Sequence, residues 1–461
     1  MTTARTRRWL ARTAAVLAAT TVAGTAMPAA EARPPKGDTA RVSEGPKGEG
    51  LDRESFALGL SGDGRYALFS SSASNLLPGG HGSSGDVYVR DLRNGHLERI
   101  GVAADGSALD DGAGDAAISG DGRYVVFGTR ATNVVPGQPK HQNDLFVQDR
   151  WTGRTELVTA GDGVSGAGDD QTIRTAHDPA VSWDGRYVTY SSDRTDLAPG
   201  VRGGKFNIFV TDRWTHTTRV VSTGADGSPA DNSSYRPTIS ADGTVIGFSS
   251  RAGNLLPADQ APAAVADSTD TASASAGARR YPYFVWDART GRLAGASRDE
   301  AGELRGSGSD GRISPSGRYA VYALFQEGGR PGSHGVHEDV FVHELATGKV
   351  TKVSTPLPGT TTIDSSFDAE MTLDDRWVFF ASTASVLVPD DTNGQTDVFR
   401  HDLWTGRTDR VSLTADGGQS ASASYFPHVD AFGGTLLFSA DDGNLVPGDT
   451  NGNADVFRRR L

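Results

Sequence analysis

A chain of 461 residues with 58 glycines and no cysteine leaves no room for disulfides, cysteine catalysis or a lipid-bearing cysteine. Its turn-dense pattern points to many short strands rather than helices. The formal charge of −12 argues against nucleic acid and anionic membranes as partners.

The chain begins "MTTARTRRWLARTAAVLAATTVAGTAMPAAEA". A basic start, an apolar run of about a dozen residues and a small-x-small end at Ala30-Glu31-Ala32 form a secretory signal layout over residues 1–32. Arg7 and Arg8 also fit the twin-arginine route for folded export beside the general secretory one. Cleavage removes four arginines and one glutamate, so the mature chain carries about −15. It is expected outside the cell, with residues 33–39 as a flexible lead. No later segment approaches the ~20 apolar residues of a membrane span.

From there the chain repeats. "SGDGRYALF" begins at Ser61, "SGDGRYVVF" at Ser119, "SWDGRYVTY" at Ser182, "SADGTVIGF" at Ser240, "SPSGRYAVY" at Ser314, "TLDDRWVFF" at Thr372 and "DAFGGTLLF" at Asp430. Most copies are 58 residues apart, and two carry insertions. Within each copy the order is an apolar strand, an Asp-Gly turn, a strand such as "YVVF", a "NLLPG"-type loop, a strand such as "DVYVRD", a Thr-Gly turn and a strand such as "TDRVS". Asp-Gly between strands favours a tight hairpin because glycine accepts positive φ. The repeated Asp63, Asp121, Asp184 and Asp242 are therefore read as turn residues, not catalysts.

Four short strands per unit at this period are the pattern of a β-propeller. The expected fold is all-β: a seven-bladed propeller of four-stranded blades over residues 40–461. The wording "S-x-D-G-R-Y-V-V-F … N-x-x-P-G … D-V-F-V-R-D-L … T-G … R-V-S" resembles the WD40-like repeats of TolB-type propellers, over residues from about 40 to 461. That resemblance speaks for fold, since propellers host many activities. The last unit ends at "DVFRRRL" without its fourth strand, whereas "ARVS" at residues 40–43 supplies one. The ring is expected to close through Arg41, Val42 and Ser43, which removes two sheet edges. Residues 258–280, rich in Ala, Ser, Thr and Asp, read as a mobile insertion.

Two places offer chemistry. Four residues before the aligned Ser, Thr or Asp, at the start of each innermost strand, stand Ala57, Asp115, Asp178, Arg236, Asp310, Asp368 and Phe426. Beside them are His177, Tyr235 and Tyr425, and two residues further in are Arg312, Glu370 and His428. A mixed polar and aromatic funnel at a channel mouth suits a small ligand, peptide or glycan; water-facing strand starts whose carboxylates bond nearby N–H groups are the bland alternative.

The second place is the pair of acidic loops "DDTNGQTD" and "GDTNGNAD". Asp391, Asn393 and Asp397, or Asp449, Asn451 and Asp455, match three oxygen positions of a calcium loop. The position before them is Pro389 or Pro447, so one ligand is missing, and turn formation explains the same residues. Calcium is the only metal for which residues are at hand, and no other cofactor is called for.

Catalytic motifs are absent: there is no Gly-x-Ser-x-Gly elbow, Walker loop or His-Glu-x-x-His. Trp151, Trp214 and Trp404 of the "D-x-W-T-G" turns form an aromatic rim. The reading is a monomeric binding or scaffolding module for a protein, peptide or glycan, more a binder than an enzyme. The alternative is a glycan lyase or glycosidase built from the mouth carboxylates.

Overall fold

The structure is a computed structural model that describes residues 38–77, 85–138, 143–161, 175–260, 281–307, 311–328, 336–441 and 443–461. The signal layout, most of the insertion at 258–280 and Asp310 lie outside the described residues.

Among the described residues 29 strands, β1 to β29, fall into seven units. They are β2–β5 (residues 55–100), β6–β9 (113–157), β10–β13 (176–220), β14–β17 (234–295), β18–β22 (306–352), β23–β26 (366–410) and β27–β29 with β1. Every unit is an antiparallel meander. In the fifth unit β18 (Gly306–Ser307) also pairs with β16 (Tyr281–Asp287), which joins the fourth and fifth units into one nine-stranded sheet. The first strands of neighbouring units touch in cyclic order, so they line the axis of a closed ring.

The sequence dictates this unit by three devices. Strands two and three face an aromatic pair across the ladder, from Phe69 on Tyr88 in the first unit to Phe438 on Phe457 in the last, with centroids 5.7 to 6.4 Å apart. Such cross-strand pairs add to apolar burial. The Asp of "D-V-F" and the Ser of "R-V-S" then lock strands three and four. Ser412 Oγ donates to buried Asp397 at 2.6 Å and accepts the Val398 N–H at 3.0 Å. Ser354 does the same for Asp339 and Val340.

The third device ties the "S-x-D-G" turns to one another. Gly62 N–H donates to Gly120 O, Asp121 to Trp183, Trp183 to Ala241, Ala241 to Pro315, Leu373 to Ala431, and Ala431 back to Gly62. One junction lacks this bond because Pro315 has no N–H. There Ser316 Oγ donates to Asp375 Oδ1 at 2.5 Å and Arg318 pairs with Asp375 at 3.2 Å.

Ring closure follows the expected route. β1 (Thr39–Arg41) pairs antiparallel with β29 (Asp455–Arg460), with Thr39 opposite Arg459 and Arg41 opposite Phe457. Ser43 donates to Asp455 at 2.5 Å and accepts from Val456 N–H at 2.8 Å, the same lock as in the internal units. Val42 is fully buried in the core between the last and first units.

Candidate functional site

Among the described residues six innermost strands carry a bulge where they begin at the mouth. The register slips between His177 and Ala180 in β10 (Ala176–Val181), between Tyr235 and Thr238 in β14 (Ser234–Ile239), and between Phe367 and Glu370 in β23 (Ser366–Met371). β6 (Ala113–Ile118) and β27 (Ser424–Val429) do likewise. A bulge leaves one residue unpaired and re-aims its side chain. In five of them the bulge includes the column named from the sequence, whereas in β2 it falls on Leu58, beside Ala57. Asp115, Asp178, Arg236, Asp368 and Phe426 all adopt left-handed φ, between 42° and 53°. Glycine takes this conformation freely, whereas other residues are strained in it by about 1–3 kcal/mol. In three of the five a proline follows, which restricts the preceding residue further.

The named residues meet across unit junctions in two groups. In the first, His177 Nδ1 lies 2.8 Å from Asp115 Oδ2 of the preceding unit. That hydrogen bond raises the His177 pKa, against the pull of burial. The Phe206 ring stands 6.3 Å from His177 and 5.6 Å from Tyr235, and Asn143 Nδ2 is 3.5 Å from His177 Nδ1. Asp178 accepts from Ser191 Oγ at 3.0 Å and from the Arg236 backbone N–H at 3.2 Å.

In the second group Glu370 bridges two units. Arg312 Nη1 of β19 (Arg312–Ile313) lies 3.2 Å away and His428 Nδ1 3.1 Å away. Burial pushes the Glu370 carboxyl up, but the His428 hydrogen bond and the charges of His428 and Arg312 outweigh it, and it stays ionised. Asp368 differs: burial raises it despite the charges of Arg312, His428 and Arg236. Glu338, at the start of β21 (Val336–Glu344), is pushed up to about 7, first by burial and then by the Asp368 charge. A carboxyl pushed up to about 7 thus stands beside a second one raised by burial, with an ionised third carboxylate in the same group. Tyr425 is drawn away from both groups, its hydroxyl donating to Asp441 at 2.6 Å.

Glu338, Asn143 and Phe206 were not singled out from the sequence. All three immediately precede the first residue of the "D-V-F-V" strand, a position that holds Gly85, Thr396 and Ala454 in other units. Its variation was the available signal, masked by the regular motif beside it.

In the acidic loops an arginine stands between the carboxylates named as calcium candidates. Arg410 Nη1 lies 2.8 Å from Asp391 and 3.4 Å from Asp397, while Asn393 donates to Asp397 at 2.8 Å. Arg41 Nη1 repeats this, 3.0 Å from Asp449 and 3.7 Å from Asp455, with Asn451 donating to Asp455 at 2.9 Å. The arginine of "R-V-S" therefore supplies the positive charge between the carboxylates. Among the described residues no group of three or more His, Asp or Glu side chains is arranged to hold a metal. The tryptophan rim also has a structural explanation: Arg123, Arg186 and Arg376 lie 4.6 to 4.9 Å from the rings of Trp151, Trp214 and Trp404, each pairing with a strand-three aspartate.

No family model and no curated protein matches the chain. Solved structures do. The propeller domain of the Trilobed protease from Pyrococcus furiosus aligns with TM-score 0.51 and 10% identity, over 88% of this chain and 95% of that one. An oligogalacturonate lyase in complex with manganese aligns with TM-score 0.52 and 11% identity, over 92% and 93%. TolB from Acinetobacter baumannii has TM-score 0.38 and 13% identity, over 87% and 81%. At these identities the likeness establishes the fold: the chain is an all-β propeller.

Proposed function

We propose that this chain is an exported propeller that binds a glycan or peptide at the channel mouth. One observation carries the reading: at the mouth, Asp, Asp, Arg, Asp and Phe occupy left-handed positions that glycine would fill without strain. Five such residues at one level of the mouth mark side chains kept for what they reach. Charged groups of both signs with Phe206, Tyr235 and Phe426 suit hydroxyl-rich or amide-bearing ligands. The signal layout at residues 1–32 supports a ligand outside the cytoplasm, and no described helix is long and apolar enough to cross a membrane. Isothermal titration with cell-wall glycan and peptide fragments tests it. Binding heat is expected from the intact chain and not from Asp178→Ala plus Asp368→Ala; equal heats in both contradict the reading.

A second reading, a glycan lyase or glycosidase, is favoured by the Glu338–Asp368 pair, since a carboxyl protonated near neutrality is a general acid. A raised carboxyl acts as an acid below its own pKa. Turnover by this route is therefore expected to fall as pH rises through about 7, and to vanish in Glu338→Gln. Product formation unaffected by Glu338→Gln would exclude Glu338 as the acid.

A further inference from the structure

The turn end of the channel, opposite the mouth, departs from the repeat in one place. Six turns open with Ser or Thr, whose hydroxyl caps the turn, as Ser61 donates to Asp63 at 2.7 Å. The last unit reads "DAFGG" instead, with Asp430 at the hydroxyl position and Phe432 at the aspartate position. Asp430 is only 8% exposed, and its Oδ1 accepts the N–H groups of Phe432 and Gly434, each at 3.0 Å. Among the described residues no donor meets Oδ2, which lies against Gly64, where a Cβ would come within 2.9 Å. Phe432 is 69% exposed, although it faces a region where the other turns place a polar residue.

Between them is a hollow of about 300 Å³, lined by Gly62, Asp63, Trp183, Asp430, Phe432 and Gly434. Trp183 is the one aromatic side chain in the "x" column of the turns. Its indole lies over Gly62 and Gly120, where any Cβ would clash with it, so two glycines make its seat. Its ring has no hydrogen-bond partner among the described residues. The hollow thus has two aromatic walls, one buried carboxylate with an unpartnered oxygen, and Asp63 at its rim. Asp63 is half exposed, with Arg93 at 3.7 Å as its nearest cation. A largely buried carboxylate with one oxygen lacking a donor suits a positive group. Aromatic faces select one that is weakly hydrated and carries alkyl groups. The chain's own excess of negative charge favours the same sign.

We propose that this hollow binds a small organic ammonium ion, its charge held by Asp430 and its alkyl groups by Trp183 and Phe432. The size sits at the lower end of ligand pockets, which fits a compact cation rather than a chain segment. The site is separate from the mouth and independent of what the mouth binds.

The probe is choline, titrated calorimetrically into the mature chain, with tetramethylammonium and the neutral carbon isostere of choline as comparisons. Asp430→Ser and Phe432→Asp import the residues of the other turns, so each variant retains a turn already present in this fold; thermal melts check this. Choline and tetramethylammonium are expected to bind, with affinity at least about tenfold weaker in either variant and for the isostere. Absence of choline binding, equal binding of the isostere, or unchanged affinity in a folded Asp430→Ser variant would overturn the proposal. Binding of a lysine-bearing peptide without choline binding would overturn it too, because the site would then serve a polypeptide partner.

Discussion

The two ends of this propeller meet the same backbone demand with opposite residues. Each turn at one end needs a left-handed residue, and Gly64, Gly122, Gly185, Gly243, Gly317 and Gly433 supply it with φ of 67° to 75°. At the mouth five bulges make a similar demand, yet Asp115, Asp178, Arg236, Asp368 and Phe426 stand there. The turn end shows what a non-glycine at such a position signifies. Among the turns between first and second strands the one exception, Asp375 at φ 59°, bonds Ser316 and Arg318 across the junction where Pro315 cannot donate, while His216 at φ 53° takes the glycine place of a Thr-Gly turn. A strained residue is kept where its side chain has a task, and under the proposed function the task at the mouth is to face a ligand.

The comparison breaks first if the ring does not depend on its closure. Deleting residues 38–45 removes β1, the Val42 core contact and the Ser43 lock on Asp455, and exposes the β29 edge. A loss of several kcal/mol is expected in urea unfolding, on the scale of a buried apolar side chain plus a broken buried network. An unchanged midpoint would show that the last unit needs no fourth strand. A smaller effect sharpens the view of the turn end. Ser316→Ala removes the side-chain substitute for the missing Pro315 donor and leaves Asp375 with Arg318 alone, costing about 1 kcal/mol in the same assay. No cost would mean that the turn-to-turn bonds do not hold the ring.

Much of the fold was legible because its determinants are local and repeated. The "S-x-D-G" turn, the aromatic pair and the Asp–Ser lock each recur in fixed order, so the unit could be read without knowing any contact. Ring closure was legible for the same reason, since Arg41-Val42-Ser43 carries the residues of a missing strand. The mouth column was found by counting back from the turn, but its left-handed backbone was not, because bulges have no residue signature apart from glycine, and glycine is absent there. Glu338 escaped notice because its role depends on which strand of the next unit comes near. The acidic loops pointed towards calcium because Arg410 and Arg41 lie 13 or more residues away in sequence from the carboxylates at Asp397 and Asp455.

The central claim, that mouth residues are kept at a cost in stability in order to bind, is tested most directly by replacing Arg236, Asp368 and Phe426 together with glycine. Melting temperature and calorimetric binding of cell-wall glycan and peptide fragments are measured on the same samples. Relief of left-handed strain at about 1 kcal/mol or more per site predicts a higher melting temperature together with lost binding. A lower melting temperature with binding intact would contradict the account.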